Sequence, residues 1–236
     1  MTVSDQVLGQ DWARLSTDLD EYGHAVTSPI IDKTMCGEIR GLYDDPAARF
    51  RSTITMARYN FGRGAYKYFD YPLPPIVNEL RQAFYAPLAN IANQWTDRLG
   101  LHEHWPPRLE DLSRQCHNEG QVKPTPLLLR YEAGDYNCLH QDLYGDIHFP
   151  LQVVLQLSEP GEEFHGGELV LVENRPRMQS IPRVITPEQG AAVILPVRHR
   201  PARGAKGWRR TQMRHGVSQV TDGLRFTLGL IFHDAA

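Results

Sequence analysis

The feature that most constrains this chain is a change of texture at Pro126. Downstream, short apolar runs alternate with turn residues: Leu127 to Tyr131, Leu151 to Leu157, Glu168 to Val172, Ala191 to Leu195, Gln212 to Val220 and Phe226 to Phe232. Glycine turns separate them, including Gly166-Gly167 and the hairpin signal Asp222-Gly223. Strands this short cannot bury a face singly, so they close on one another as a sandwich, barrel or jelly roll.

Upstream the apolar spacing is three and four, which is helical. Gln10 to Tyr22 carries Trp12, Leu15 and Leu19; Asp32 to Tyr43 is stopped by Asp44-Asp45-Pro46. Pro75 to Leu99 is the strongest helix, with Ile76, Leu80, Phe84, Leu88, Ile91 and Trp95 on one stripe and Gly100 as the stop. Leu109 to Cys116 is a shorter one. Thr53 to Phe69, rich in Thr, Ile, Tyr and Phe and broken by Gly62 and Gly64, reads as a strand pair or an aromatic loop. The expectation is a mixed α+β chain: one domain over 1–236, with a mainly helical part over 1–123 packed on a jelly-roll core over 124–236.

With 236 residues, 41% of them apolar and 22% charged, whole-chain disorder is excluded. No apolar run approaches the roughly 20 residues of a membrane helix. Met1 to Gln10 lacks the basic start and apolar centre of a signal peptide. Cys36, Cys116 and Cys138 are odd in number, far apart and without a C-x-x-C, which argues against a disulfide scaffold or zinc knuckle and for the reducing cytoplasm.

The net charge of −3 hides an asymmetry. Between Asn174 and Arg214 stand Arg175, Arg177, Arg183, Arg198, Arg200, Arg203, Lys206, Arg209, Arg210 and Arg214, against the single acid Glu188. Such a segment on an acidic body suits an anionic partner or, equally, a solvated loop.

Chemistry concentrates after Tyr131. His140 and Asp142 are two apart, so on an extended strand they face the same way. His215 lies in a later expected strand. Two histidines and a carboxylate on one face of a metal leave three positions open, the arrangement of non-haem Fe(II) oxygenases. Arg225 follows His215 by ten residues, across the expected Asp222-Gly223 turn, and Thr227 is two further on. A guanidinium and a hydroxyl on one strand face suit a carboxylate. Satisfied core histidines are the plainer reading of His140 and His215. His148, His165, His199 and His233 have no evident partners and read as structural or exposed; Glu168 reads as a strand-edge or surface residue.

On His140-x-Asp142, His215, Arg225-x-Thr227, the upstream Tyr131 and the intervening Phe164-x-Gly166-Gly167-Glu168-Leu169, the chain resembles the 2-oxoglutarate/Fe(II) dioxygenase superfamily over Pro126 to Asp234. The resemblance implies a double-stranded β-helix and iron ligands at His140, Asp142 and His215. It implies that Arg225 and Thr227 bind the distal carboxylate of 2-oxoglutarate, with Tyr131 also touching the cosubstrate. The implied cofactors are Fe(II), 2-oxoglutarate and O2, with ascorbate as an in vitro reductant, and the implied reaction is hydroxylation of a C–H bond. On a methyl group borne by nitrogen, that product falls apart to formaldehyde.

Arg130-Tyr131, Gly134 and His140-Gln141-Asp142 are similar to the AlkB-type nucleic-acid demethylases, although Leu129 stands where those have Asn. Leu228 and Gly229 also depart from their C-terminal Arg-x-Asn-x-Thr-x-Arg, and the spacing from His215 to Arg225 is more like that of prolyl hydroxylases. As a whole the chain resembles a bacterial group of 2-oxoglutarate oxygenases proposed to act on damaged nucleic acid. The implied substrate is alkylated DNA or RNA. Tyr66, within the aromatic and basic run Tyr59 to Phe69, would stack on a base as part of a lid, and Arg200, Arg203, Arg209 and Arg210 would hold phosphates. A strand pair covering the barrel is the plainer reading of that run. A protein residue such as proline, or a small molecule, is the alternative substrate; a non-catalytic metal-binding jelly roll is the remaining alternative. No membrane partner is expected.

Overall fold

The computed structural model describes residues 2–175, 177–204 and 207–236; Lys206, the one lysine of the basic segment, lies outside them. Among the described residues there are five α-helices: α1 (Val3–Leu8), α2 (Trp12–Tyr22), α3 (Lys33–Gly41), α4 (Pro75–Arg98) and α5 (Leu109–Asn118). The early strands are β1 (Ala25–Val26), β2 (Phe50–Thr55), β3 (Gly62–Arg63) and β4 (Ala65–Phe69). After Pro126 come β5 (Leu127–Glu132), β6 (Tyr136–His140), β7 (Leu151–Gln156), β8 (Phe164–Gly166), β9 (Leu169–Asn174) and β10 (Ile181–Ile185). β11 (Ala192–Pro196), β12 (His199–Gly204), β13 (Gly207–Val217) and β14 (Val220–Leu230) complete the chain.

The helix spacings read from sequence are realised. Asp11 caps α2 by accepting from the Arg14 amide, and Gly23 ends it in the left-handed conformation. α4 begins with Pro75 at its first turn, where a missing N–H costs nothing. Its apolar stripe, Leu80, Phe84, Leu88, Ile91 and Trp95, is buried against the strands.

The strands form two antiparallel sheets. The larger runs β1-β11-β7-β14-β5-β4-β2, with β8 beside β14; the smaller runs β10-β9-β13-β6-β3, with β12 beside β13. Thr53 to Phe69 is thus a strand pair, β2·β4, which docks through β4 onto β5, with the short β3 joining the other sheet. The period of two along β14 decides what faces where. Phe226, Leu228 and Leu230 join the core shared with the helices, whereas Arg225, Thr227 and Gly229 line a cavity between the sheets. β7 divides likewise: Val153 and Leu155 face the helices, Gln152 and Val154 the cavity. Leu169, Leu171, Ile185, Val193, Leu195 and Met213 make a second core cluster with contributions from both sheets.

Two expectations need correction. Asp222-Gly223 is not a hairpin turn: it lies inside β14, and β13 and β14 belong to different sheets, joined at Ser218-Gln219. Gly223 is required for another reason. Its φ is +80°, and a Cβ there would sit 2.1 Å from the Glu163 carbonyl oxygen, where β8 approaches. The second correction concerns β8, β10 and β12, which fall outside the expected runs. β8 is three residues long, and β10 and β12 each carry a proline and arginine on the periphery of the smaller sheet, so neither shows the apolar signature of an interior strand.

Candidate active site

β6 and β13 run antiparallel, and their register sets His140 directly opposite His215. The rings lie 4.3 Å apart, centroid to centroid. Asp142 follows just beyond the end of β6, so it reaches the histidines from a loop rather than from the strand. Its Oδ2 is 3.1 Å from His215 Nε2 and its Oδ1 3.6 Å from His140 Nε2. One ligand atom from each residue falls within 4.8 Å of the others. His140 Nδ1 lies 2.8 Å from the Cys138 carbonyl, to which it can only donate, leaving the Nε2 lone pair for a metal. Gln141 donates to the carbonyls of Met213 and Arg198 and so ties the loop bearing Asp142 to β13.

Burial, then the neighbouring His215, pushes the His140 pKa down, against the pull of Asp142. For Asp142 burial acts upward, but the hydrogen bond and charge of His215, the charge of His140 and the Tyr144 hydroxyl outweigh it. The carboxyl is held well below the usual carboxylate range. The cluster therefore presents an ionised carboxylate, as a divalent cation requires. Tyr144 donates to Asp142 Oδ1 at 2.7 Å and accepts from Tyr68 at 2.9 Å. Sequence reading missed both tyrosines. Their signal was present, since Tyr144 stands two residues past Asp142 and Tyr68 two past Tyr66, on the same strand face.

The cavity has a volume of about 320 Å³. Tyr66, Tyr131, His140, Asp142, His215, Arg225 and Thr227 all line it, so seven of the residues singled out from sequence meet in one place. Arg225 is 2% exposed, and its Nε and Nη1 are buried without a hydrogen-bond partner among the described residues. Its guanidinium lies 5.5 Å from the centre of the Tyr131 ring and 5.9 Å from that of Phe164. Burial pushes its pKa down to about 10. Glu168 is near, but its carboxylate accepts a short hydrogen bond from Ser218 and makes no ion pair with Arg225. Tyr131 is fully buried, its pKa pushed up to about 12 by that burial, and its hydroxyl accepts from Asn137 at 3.4 Å. Gly167 explains the Gly-Gly step: at φ +65°, a Cβ would lie 2.7 Å from Val220 Cγ2 and 3.0 Å from Arg225 Cδ.

The four arginines read as phosphate contacts do not line this cavity. Arg203, Arg209 and Arg210 are exposed on the β12·β13 ribbon. Arg200 is a correction: it is 4% exposed, ion-paired with Glu173 at 2.7 Å and bonded to the Asp20 carbonyl. Both charges of that pair are buried, so Arg200 ties β12 to β9 and α2 and offers no surface to a phosphate.

An unpaired buried guanidinium in the same cavity as two histidines and a carboxylate suits a metal together with a carboxylate-bearing molecule. On a two-sheet β fold this defines the class: the protein is a 2-oxoglutarate/Fe(II) oxygenase, using Fe(II), 2-oxoglutarate and O2. The model of the Oxygenase-NA family, described as "Oxygenase, catalysing oxidative methylation of damaged DNA", matches residues 64–235, and the chain belongs to that family. A Mycobacterium tuberculosis protein, "Uncharacterized protein Rv2227", is 45% identical over 201 residues, covering 84% of this chain and 86% of its own. Among solved structures, a 2OG-Fe(II) oxygenase family oxidoreductase from Burkholderia pseudomallei aligns with a TM-score of 0.56 at 18% identity, covering 95% of this chain and 92% of that one. A Pseudomonas putida prolyl-4-hydroxylase aligns with a TM-score of 0.52 at 14% identity, covering 95% and 99%. At such identities the likeness speaks for the shared double-stranded β-helix fold. No helix among the described residues is long and apolar enough to cross a membrane.

Proposed function

We propose that the protein oxidatively demethylates alkylated nucleic acid, with His140, Asp142 and His215 holding Fe(II) and Arg225, Thr227 and Tyr131 holding the distal carboxylate of 2-oxoglutarate. The observation that carries the cosubstrate assignment is the orphaned guanidinium of Arg225. A buried cation without a partner is costly, and a carboxylate offering two oxygens is its natural complement. Thr227, 1% exposed and two residues along the same face, adds a hydroxyl. The charges then balance: Fe²⁺ and Arg225 supply three positive charges, Asp142 and the two cosubstrate carboxylates three negative.

When bound, Fe(II) with 2-oxoglutarate and O2 supplies the oxidation, converting the cosubstrate to succinate and CO2 and leaving one oxygen atom in a C–H bond of the substrate. On an N-methyl group the product is a hydroxymethyl amine, which loses formaldehyde and frees the nitrogen. Oxygen insertion thus runs toward removal of a methyl group. The residues of the chain orient and exclude. Tyr144 and Tyr68 fix the Asp142 carboxylate, Gln141 anchors its loop, and Tyr66, Leu129 and Val154 supply apolar wall.

The family description supports a damaged-nucleic-acid substrate. So does the rim, where Tyr59 and Phe61 are exposed and stacked, 5.5 Å apart with 22° between planes, and Phe61 and Asn60 line the cavity. Exposed stacked rings beside a cavity suit an unstacked base. The test supplies Fe(II), 2-oxoglutarate, ascorbate and O2 with a methylated single-stranded oligonucleotide, and records its mass and released formaldehyde. Methyl loss that requires 2-oxoglutarate and His140 is the expected result. Steady succinate formation with no change in any oligonucleotide, but with oxidation of a proline peptide, would replace this substrate by a protein residue.

A further inference from the structure

A second cavity, of about 220 Å³, lies between the C-terminal half of α4 and the segment entering β12. Its polar wall is made by Arg198, His199, Arg210 and His148, with Trp105 beside them and Glu103 as the sole acid among the lining residues. Arg198 and Arg210 are exposed, and neither guanidinium has a carboxylate partner among the described residues. His148 Nδ1 is buried and has no hydrogen-bond partner. Burial, then the charges of Arg198, Arg210 and His148, pushes the His199 pKa down to about 4, as a pocket of positive potential would. These donors line one cavity.

The cavity is linked to the candidate active site by covalent and hydrogen-bonded chain. The segment 141–150 starts at Gln141 and Asp142 and reaches His148 and Pro150 on this wall. Gln141, adjacent to Asp142, donates to the Arg198 carbonyl at 3.3 Å. The two cavities therefore share one loop and one strand junction.

We propose that this second cavity is a phosphate subsite, taking the backbone phosphates of nucleotides that flank the one under repair, with Arg198 and Arg210 as the charged contacts and His148 and His199 as further donors. The proposal rests on the nucleic-acid reading above and adds a place to it. It also departs from the expectation that His148 and His199 are structural or exposed.

The test measures binding of a fluorescently labelled single-stranded oligonucleotide by anisotropy across a range of salt. Three proteins are compared: wild type, Arg198→Gln/Arg210→Gln, and Arg108→Gln/Arg114→Gln, which removes the same charge from α5 and its approach. All four arginines are exposed, so the core is undisturbed. The first pair is expected to weaken binding about tenfold and to flatten the log–log salt dependence by roughly 1.4, at about 0.7 for each phosphate contact on a single strand. The second pair should leave that slope in place. Oligonucleotide binding with an unchanged slope in Arg198→Gln/Arg210→Gln, or an equal loss in both variants, overturns the subsite and leaves the substrate reading standing. Absence of oligonucleotide binding by wild type at low salt overturns the substrate reading, and the subsite with it.

Discussion

The two ends of the main cavity are built on opposite principles. At one end the Asp142 carboxylate is ionised, lies 3.1 Å from His215 Nε2 and 3.6 Å from His140 Nε2, and is braced by Tyr144, although His215 Nδ1 is buried without a partner among the described residues. At the other, Arg225 is buried with two nitrogens unpaired among Tyr131, Phe164 and Val220. At the first end the carboxylate has its donors. The second carries an unmet demand, and burial pushes its pKa down to about 10. Against an ordinary 12.5, that shift corresponds to about 3 kcal/mol of discouraged charge at neutral pH. A proposed metal end whose carboxylate is already held can select by geometry, whereas a frustrated cationic end gains most from the arrival of an anion.

The strongest way to break this contrast is to remove a histidine. His215→Ala should abolish Fe(II) binding and bring turnover to background, a loss of more than about 1,000-fold, read by succinate formation and metal titration. Retained iron stoichiometry would relocate the metal. Next in size, Arg225→Met should raise the KM for 2-oxoglutarate about 100-fold while stabilising the protein in the absence of cosubstrate by about 1–3 kcal/mol. Denaturant unfolding reads the second effect; destabilisation would show that Arg225 is already satisfied and that the contrast is false. Tyr144→Phe should cost about tenfold in Fe(II) affinity with 2-oxoglutarate affinity unchanged, since it loosens the Asp142 carboxylate alone. Equal loss of both affinities would mean that the two ends are not separable. Smallest is Gly167→Ala, about 1–2 kcal/mol of stability from the left-handed backbone and the contact with Val220, with a modest rise in the 2-oxoglutarate KM from displaced Arg225. A KM unchanged within error would free Arg225 from its dependence on that glycine.

What was legible in the sequence followed the range over which its signals act. α2, α3, α4 and α5 appeared because apolar spacing and stop residues are local. The residues meeting in the cavity were found because their order along the chain is itself a pattern, although they come from β4, β5, β6, β13, β14 and a loop. Register was not legible. Nothing local says that β13 and β14 part into different sheets, so Asp222-Gly223 looked like a turn when it is a strand position that admits the β8 backbone. Nor does a run of arginines say which of them is paired: Arg200 and Arg203 look alike in sequence, yet one is sealed against Glu173 and the other is exposed. The spacing of Tyr144 and Tyr68 was visible, but their bracing hydrogen bonds depend on the partners' positions, which the fold supplies.

The separation of β13 from β14 has a mechanical consequence. His140 and His215 belong to the smaller sheet, while Tyr131, Arg225 and Thr227 belong to the larger one. Any small molecule that touches both groups acts as a rivet through the sandwich, resisting the parting of its two faces. Cosubstrate should then slow amide hydrogen exchange along β6 and β13 as well as along β5 and β14. The empty protein would breathe as two plates, and the loaded one as a single block.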